Sequence, residues 1–183
     1  MVRLITPLEE STIRSLRAGE LVYISGLLIT ARDKVHKYLM ENKPDIPELK
    51  NSVIYHSGPI VKDSKVISAG PTTSARLEPY EAELIAHYGI RAIIGKGGMG
   101  KRTQEALRQY GAVYLQATGG AAVYLAEKIK KIIDVKFLEE FGMPEAMWFL
   151  EVEEFPAIVT MDSHGGNLHS DIEASSKASA LNL

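Results

Sequence analysis

The chain has 183 residues, an apolar share of 45% and a formal charge of −2 from 21 bases and 23 acids. This length and composition are typical of one globular domain with a real core, and the charge gives no global reason to expect nucleic acid or a membrane surface as a partner. The absence of cysteine excludes disulfides, thiol nucleophiles and any iron–sulfur cluster held by this chain alone.

The first clear elements are a strand and a helix. Residues 20 to 28, ELVYISGLL, favour a strand by their apolar and β-branched composition. Thr30 to Asp33 then has the spacing of a capping box and predicts a helix to about Met40. The sequence therefore places Arg32 in a first helical turn.

Two short strands and a second helix follow. Val53 to His56 and Val66 to Ala69 favour strands around a polar turn at Asp63 and Ser64. GPTTSAR, residues 70 to 76, is a glycine-proline turn that runs into a helix, and Gly89 is the expected end of that helix.

From Arg91 onward the hydrophobic period alternates between strand and helix. The order implies a parallel sheet segment with right-handed crossovers, and the hairpin-like stretches on either side make the whole sheet mixed. After the turn at GMP, the segment AMWFLEVEEFPAIVTMD favours a strand that bends at Pro156. The predicted elements are a strand to Gly95, a helix to Tyr110, a strand at Ala112 to Gln116, a helix to Lys131 and a strand to Phe137.

The chain organisation predicted from these elements is one domain and a tail. The domain covers residues 1–172, and residues 173–183, rich in Ser, Ala and Asn, are expected to form a flexible C-terminal tail. The apolar stretches stop short of the roughly 20 residues that a membrane span needs, and the first residues lack the pattern of a signal peptide. We therefore expect a cytoplasmic protein that binds neither membrane nor nucleic acid.

The stretch GKGGMGKR, residues 95 to 102, matches two phosphate-binding templates. The P-loop template needs a hydroxyl directly after the lysine, but Arg102 stands there and Thr103 lies about 100° further round the helix. The dinucleotide template needs a carboxylate about twenty residues on, where residues 115 to 118 offer none. Both nucleotide interpretations are disfavoured.

Backbone N–H groups are free at four predicted strand-to-helix junctions, and three of these carry a cation. Arg32, Arg76 and Lys96 would line a pocket for a small anion if the junctions share one sheet edge. Two arginines suit two carboxylates, because each guanidinium grips a carboxylate through two hydrogen bonds. The plainer alternative pairs Arg32 with a nearby acid at the surface and uses Thr72 as a helix cap.

The histidines carry weaker signals. His36 lies four residues after Arg32 on the same helical face, so it either lines the pocket or packs beneath it. His56 is a candidate for orienting a pocket group. His164 and His169 resemble a metal pair, but no carboxylate stands at a convincing spacing, so we expect no metal held by this chain alone.

Seven sequence blocks occur in the order found in one family. The chain resembles the β subunit of class I, iron–sulfur fumarases and of the related L-tartrate dehydratases across residues 3 to 170. The blocks are GLLITARDKVHKYL, YHSGP, GPTTSAR, GKGGMG, ATGGAA, GMPEAMW and FPAIVTMDSHGGN.

The resemblance implies a fold, a reaction and a partner. The fold would be a swivelling β/β/α three-layer domain with a mixed sheet. The reaction would be reversible hydration of fumarate to malate, with L-tartrate dehydration as one alternative and a stand-alone organic-acid or nucleotide-binding domain as another. A [4Fe-4S] cluster would sit on a separate alpha subunit that carries three cysteines, in a hetero-oligomer.

The resemblance also implies site residues. Arg32 and Arg76 would bind the dicarboxylate, and Thr72 would exchange the carbon-bound proton with Lys96 beside it. A threonine hydroxyl is a poor base unless cations stabilise its alkoxide, so a rival mechanism makes a deprotonated Lys96 the base. The block GMPEAMW is expected to be structural or to contact the alpha subunit.

Overall fold

The computed structural model of the chain describes residues 1–180. Its strands are β1 (Val2–Ile5), β2 (Leu21–Thr30), β3 (Val53–Tyr55), β4 (Ile60–Lys62), β5 (Lys65–Ser68), β6 (Ala92–Gly95), β7 (Val113–Gln116), β8 (Ile129–Lys136) and β9 (Met147–Met161). Its helices are α1 (Glu10–Ser15), α2 (Asp33–Asn42), α3 (Glu78–Tyr88), α4 (Lys101–Tyr110), α5 (Ala122–Glu127), α6 (Leu138–Phe141) and α7 (Leu168–Ala180). Among the described residues, no helix is both long and apolar enough to cross a membrane.

The main sheet is mixed, which confirms the expected α/β class. Its strand order is β1-β2-β3-β6-β7-β9-β8, with β1, β2, β3, β6 and β7 parallel to one another. The long strand β9 runs antiparallel and pairs with β7, β8 and β2. The pairing of β9 with both β2 and β7 closes β2, β3, β6, β7 and β9 into a ring.

The place of β8 corrects the predicted βαβαβ unit. The crossover from β6 through α4 to β7 is parallel as expected, but β8 pairs antiparallel with β9 instead of continuing the parallel segment. Sequence period alone identifies a strand and not its neighbour, and here β9 occupies the position beside β7.

Alternation along the central strands places their side chains in two large clusters of the core. In β3, Val53 and Tyr55 belong to one cluster and Ile54 to the other. The second cluster also contains the apolar residues of α2, α3 and α4, including Leu39, Ile85 and Leu107. These three helices therefore cover one face of the sheet and bring their first turns to its edge.

The start of α2 differs from the prediction. Thr30 is the last residue of β2, and its hydroxyl accepts the backbone N–H of Trp148 at 3.1 Å. The helix begins at Asp33, with Arg32 as its N-cap residue and without a side-chain cap. The predicted capping box is wrong because a neighbouring strand, far away in sequence, engages the threonine.

The polar turn at Asp63 and Ser64 joins a different pair of strands than predicted. Both residues have positive φ, 50° and 59°, and they connect β4 to β5 in a two-stranded sheet. The prediction missed β4, whose three residues carry little pattern, while β3 belongs to the main sheet.

The predicted domain boundary at residue 172 falls inside α7. The described part of the expected tail, residues 173 to 180, continues this helix and is exposed throughout. Residues 181 to 183 lie outside the described part of the chain. The flexibility of the tail stays a prediction.

Candidate active site

The predicted site residues lie at the edge where the parallel strands end. Arg32 comes two residues after β2, His56 directly after β3 and Lys96 directly after β6. Because β2, β3 and β6 are parallel neighbours, their carboxyl ends meet at the same edge, where ligands of open α/β sheets bind. From the sequence, an anion pocket required that the junctions share one sheet edge, but the sequence did not show that they do.

Arg32 is a half-buried cation between the YHSGP and GMPEAMW segments. Its side chain is 25% exposed, and its Nε lies 3.3 Å from Oε1 of Glu145. A Cβ on Gly58 would lie 2.5 Å from Nη1 of Arg32, so the glycine leaves room for the guanidinium. The second oxygen of Glu145 accepts the backbone N–H of Lys34 at 3.0 Å. Glu145 therefore fixes both the start of α2 and the direction of Arg32.

The backbones of Thr72 and Lys96 are hydrogen-bonded to each other. The N–H of Lys96 donates to the carbonyl of Thr72 at 3.2 Å, and the N–H of Ser74 donates to the carbonyl of Lys96 at 3.0 Å. The N–H of Thr72 donates to the carbonyl of His56 at 2.6 Å. The GPTTSAR segment thus runs beside the ends of β3 and β6, which places Thr72 and Lys96 on adjacent segments.

Arg76 joins the same edge through an ion pair with the first residue of α2. Its Nη2 lies 2.8 Å from Oδ2 of Asp33, and its Nε donates to Oδ1 at 3.3 Å. Burial opposes the charge on Asp33, but the hydrogen bond and positive charge of Arg76 outweigh it and lower the pKa of that carboxyl. The Arg76 side chain is 49% exposed. The two predicted carboxylate-binding arginines are therefore connected through Asp33.

The glycine loop after β6 does not leave the start of α4 open to a phosphate. The carboxylate of Glu78 accepts the N–H groups of Gly100 at 2.7 Å and Thr103 at 3.1 Å, together with the Thr103 hydroxyl at 2.7 Å. A carboxylate of the same chain thus fills the position that a bound phosphate would take. This arrangement counts against the nucleotide alternative.

The first glycine of the loop is required by close packing. A Cβ on Gly95 would overlap the hydroxyl oxygen of Ser74, and it would also lie 3.1 Å from the Tyr114 hydroxyl. A Cβ on Gly119, in the ATGG loop, would lie 3.7 Å from Cδ of Lys96. The lysine side chain therefore extends toward the loop that follows β7.

Five buried polar residues lie beneath this edge, and we call them the buried network: His36, His56, Ser74, Glu81 and Tyr114. Both histidines place Nε2 at 3.0 Å from Oε2 of Glu81. His56 Nδ1 and the Tyr114 hydroxyl each lie 2.9 Å from the Ser74 hydroxyl, and His36 Nδ1 lies 2.8 Å from the carbonyl of Arg32. The donor atoms of His36, His56 and Glu81 lie within 4.8 Å of one another and could also hold a metal ion.

The buried network settles the alternatives that the sequence left open for His36, which packs under the site instead of lining it. The sequence analysis missed Ser74, Glu81, Glu145 and Tyr114 as partners of the site. For Glu81 a signal existed, because a carboxylate at a position of α3 that the helical period turns toward the core is unusual. No local pattern marks Ser74 or Tyr114.

Comparison with known proteins gives the same family as the motifs. Residues 1–172 match the profile of the family described as fumarase C-terminus. A Geobacillus stearothermophilus protein, provisionally named fumarate hydratase class I, is 50% identical over 181 residues, which is 96% of this chain and 35% of that protein. This chain therefore spans about a third of that relative.

Two relatives have lengths closer to that of this chain. A Methanocaldococcus jannaschii protein, provisionally named L(+)-tartrate dehydratase subunit beta, is 45% identical over 90% of this chain and 89% of its own length. The L(+)-tartrate dehydratase subunit beta of Escherichia coli K12 is 40% identical over 90% of this chain and 85% of its own length. These matches confirm the resemblance read from the motifs, and the chain belongs to the fumarase C-terminus family.

Proposed function

We propose that this chain is the beta subunit of a hydro-lyase that hydrates fumarate reversibly to malate. The observation that carries the proposal is the convergence of Arg32, Thr72, Arg76 and Lys96 on one sheet edge in a member of this family. L-tartrate dehydration is the second candidate, because the two relatives of similar length carry that name.

Arg32 and Arg76 supply the charge for binding a small dicarboxylate. Each guanidinium can hold a carboxylate through two parallel hydrogen bonds, as Arg76 already holds Asp33. The Nε of Arg32 is buried and has no hydrogen-bond partner among the described residues, although Glu145 is close enough for an ion pair. Fixed positive groups of this kind favour the charge that develops on a carboxylate as the adjacent carbon loses its proton.

Proton transfer is assigned to the pair Thr72 and Lys96. In the direction of dehydration, the carbon-bound proton of malate moves to a base and the hydroxyl group leaves. Thr72 would accept this proton only with cations close to its oxygen, and Lys96 is a cation whose backbone is hydrogen-bonded to that of Thr72. In the alternative, Lys96 accepts the proton and Thr72 orients the lysine. Both alternatives use the same geometry.

This chain does not fit the iron–sulfur cluster that its family implies. Cluster iron is held by cysteine thiolates, and the chain contains no cysteine. We therefore propose that an alpha subunit holds the [4Fe-4S] cluster, in a cytoplasmic hetero-oligomer, and that this chain supplies the groups that bind substrate and move the proton.

The test is reconstitution. The chain would be expressed under anaerobic conditions with and without a cysteine-bearing candidate alpha subunit, and the absorbance of fumarate would be followed, with L-tartrate as a parallel substrate. We expect activity only from the complex. Turnover of malate by the isolated chain would contradict the proposal.

A second experiment separates the two candidate bases. Deuterium exchange from malate would be measured in complexes that carry Thr72→Ala or Lys96→Met, with the exposed neighbour Thr73→Ala as the control. Loss of exchange in Thr72→Ala supports the threonine. Full exchange in Thr72→Ala together with its loss in Lys96→Met assigns the base to the lysine.

A further inference from the structure

We propose that the buried network is a positioning device that holds the three segments bearing Arg32, Thr72 with Arg76, and Lys96 in a fixed mutual arrangement. The claim that these segments bind a small dicarboxylate rests on the proposed function above. The geometry of the network does not, because it depends only on contacts within the chain.

The protonation state of His36 follows from its partners. Nδ1 faces the carbonyl of Arg32 at 2.8 Å, and Nε2 faces the carboxylate of Glu81 at 3.0 Å. Both partners only accept hydrogen bonds, so both ring nitrogens must donate and the ring is an imidazolium. Burial lowers the pKa of His36, but the charge and hydrogen bond of Glu81 outweigh it, and Asp33 adds to the net rise.

The hydrogen bonds among the remaining members of the buried network all run in one direction. His56 donates from Nε2 to Glu81, and because burial lowers its pKa the ring is neutral and Nδ1 accepts. The Ser74 hydroxyl then donates to Nδ1 of His56, and the Tyr114 hydroxyl donates to Ser74. The chain of hydrogen bonds therefore runs from Tyr114 to Glu81, where it meets the donor from His36.

One end and the middle of the network attach to the three site segments. The His36 end holds the carbonyl of Arg32. Ser74 lies midway between Thr72 and Arg76, and its N–H donates to the carbonyl of Lys96 at 3.0 Å. Its hydroxyl also packs on Gly95, where a Cβ would overlap it. A shift of any one segment would break a partly or wholly buried hydrogen bond, which is costly.

Hydrogen bonding explains these contacts better than a metal ion does. Both Nε2 atoms lie 3.0 Å from the same oxygen, Oε2 of Glu81, and Nδ1 of each ring has its own partner. The imidazolium of His36 and the carboxylate of Glu81 cancel each other's charge in the buried site. The group is neutral with protons alone, and Oε1 of Glu81 is left buried without a hydrogen-bond partner among the described residues.

The first measurement identifies the protonation states. In the full chain labelled with nitrogen-15, we expect His36 to show two protonated ring nitrogens at pH values above the ordinary histidine pKa of about 6.5, and His56 to show one. Glu81→Gln should convert His36 to the neutral ring, whereas the exposed Glu83→Gln on the same helix should not. A neutral His36 in the unaltered chain would overturn the proposal.

The second measurement tests positioning by hydrogen exchange. Ser74→Ala and Tyr114→Phe each remove one hydroxyl, so both should fold even if Glu81→Gln does not. We expect Ser74→Ala to speed exchange about tenfold at the amides of Thr72, Lys96 and residue 74, which is the effect of one lost hydrogen bond. The amides of Val113 and Val159, which donate elsewhere in the sheet, should not change. Uniform acceleration, or none, would overturn the proposal.

Two further readings complete the test. In the reconstituted complex, Ser74→Ala should lower kcat/KM about tenfold while Glu83→Gln leaves it unchanged. One equivalent of bound metal in the purified chain, lost in Glu81→Gln, would overturn the network in favour of a metal site. A wild-type complex that turns over neither substrate would refute the proposed function, while the local exchange pattern would still support the network.

Discussion

At the scale of single residues, acids set the direction of the two arginines that we propose to bind substrate. Arg32 is flanked by Glu145, and Arg76 is held by Asp33. The plain alternative from the sequence, in which Arg32 pairs with a nearby acid, holds in part, because an acid is present. That acid is Glu145, more than a hundred residues away, and the pair is half-buried instead of solvated. A half-buried arginine with a fixed direction is suited to recognition, not merely to solubility.

Replacing either arginine tests its role. We expect Arg32→Lys or Arg76→Lys to lower kcat/KM of the reconstituted complex about a hundredfold, because a lysine keeps the charge but not the forked pair of hydrogen bonds. Arg102→Lys is the matched control, since Arg102 forms an exposed ion pair with Glu83. Equal kcat/KM in all three variants would show that Arg32 and Arg76 do not bind the substrate.

The stability of the chain at acidic pH should depend on the ionisation of Glu81. Burial raises the pKa of this carboxyl, but the charge of His36 and the hydrogen bonds of both histidines outweigh burial and lower it from 4.5 to about 2. Because the folded pKa is the lower one, the stabilisation is complete above pH 4.5 and is lost as the pH falls toward 2. We expect the free energy of unfolding, measured by urea titration, to fall over this window.

The matched variant isolates that contribution. In Glu81→Gln no carboxyl titrates at this position, so the free energy of unfolding should be lower at neutral pH and flatter between pH 4.5 and 2. Glu83→Gln should retain the full dependence. The same slope in Glu81→Gln and in the unaltered chain would show that Glu81 is not the titrating group.

At the scale of elements, α4 shows how a familiar pattern can carry another function. GKGGMGKR looks like a phosphate loop by spacing, yet its helix start is occupied by Glu78 from α3. Glu78 is 22 residues before Gly100, so the contact depends on how α3 and α4 pack and not on the loop itself. The glycines serve close packing, as the contact between Gly95 and Ser74 shows.

The contact of Glu78 with the start of α4 leads to a prediction about stability. Glu78→Ala should lower the free energy of unfolding by about 1–2 kcal/mol, because it removes a charged acceptor from the start of the helix. Glu105→Ala, at an exposed position in the middle of the same helix, should have a much smaller effect. Thermal or urea unfolding of the two variants measures the difference. A gain in ATP binding is not expected in either.

At the scale of the whole molecule, β9 decides the architecture. Its 15 residues pair with β2, β7 and β8, and this closes the ring that aligns the strand ends at one edge. The segment that follows it returns to the site: the ring of His169 covers Gly98 in the glycine loop, and its Nε2 lies 3.0 Å from the Thr160 hydroxyl. The residues that follow the block FPAIVTMDSHGGN thus support the Lys96 loop from outside.

This anchoring predicts where the domain can be shortened. A chain that stops at residue 172 keeps His169, while residues 173 to 180 are exposed, so its free energy of unfolding should change by less than about 0.5 kcal/mol. His169→Ala should cost more, because it removes the ring that packs on Gly98. Urea unfolding compares the two. A large loss in the shortened chain would move the domain boundary beyond 172.

Much of the fold and part of the site could be read from the sequence. Period and turn residues gave the strands and helices from Arg91 to Tyr110, since those signals are local. Short elements such as β4, the partner of β8 and the start of α2 could not be predicted, because each depends on a strand that lies far away in the chain. For the site, motif order singled out Arg32 and Lys96, but no local signal linked them.

The sequence by itself determined the family, the absence of thiolate ligands and the set of charged groups, because residue identity and order are enough for these. Only the tertiary structure decided which groups meet. It paired Arg32 with Glu145, filled the start of α4 with Glu78, and joined His36, Glu81 and His56 beneath the site. These contacts join segments of distant sequence position, and burial gives them their strength by excluding water.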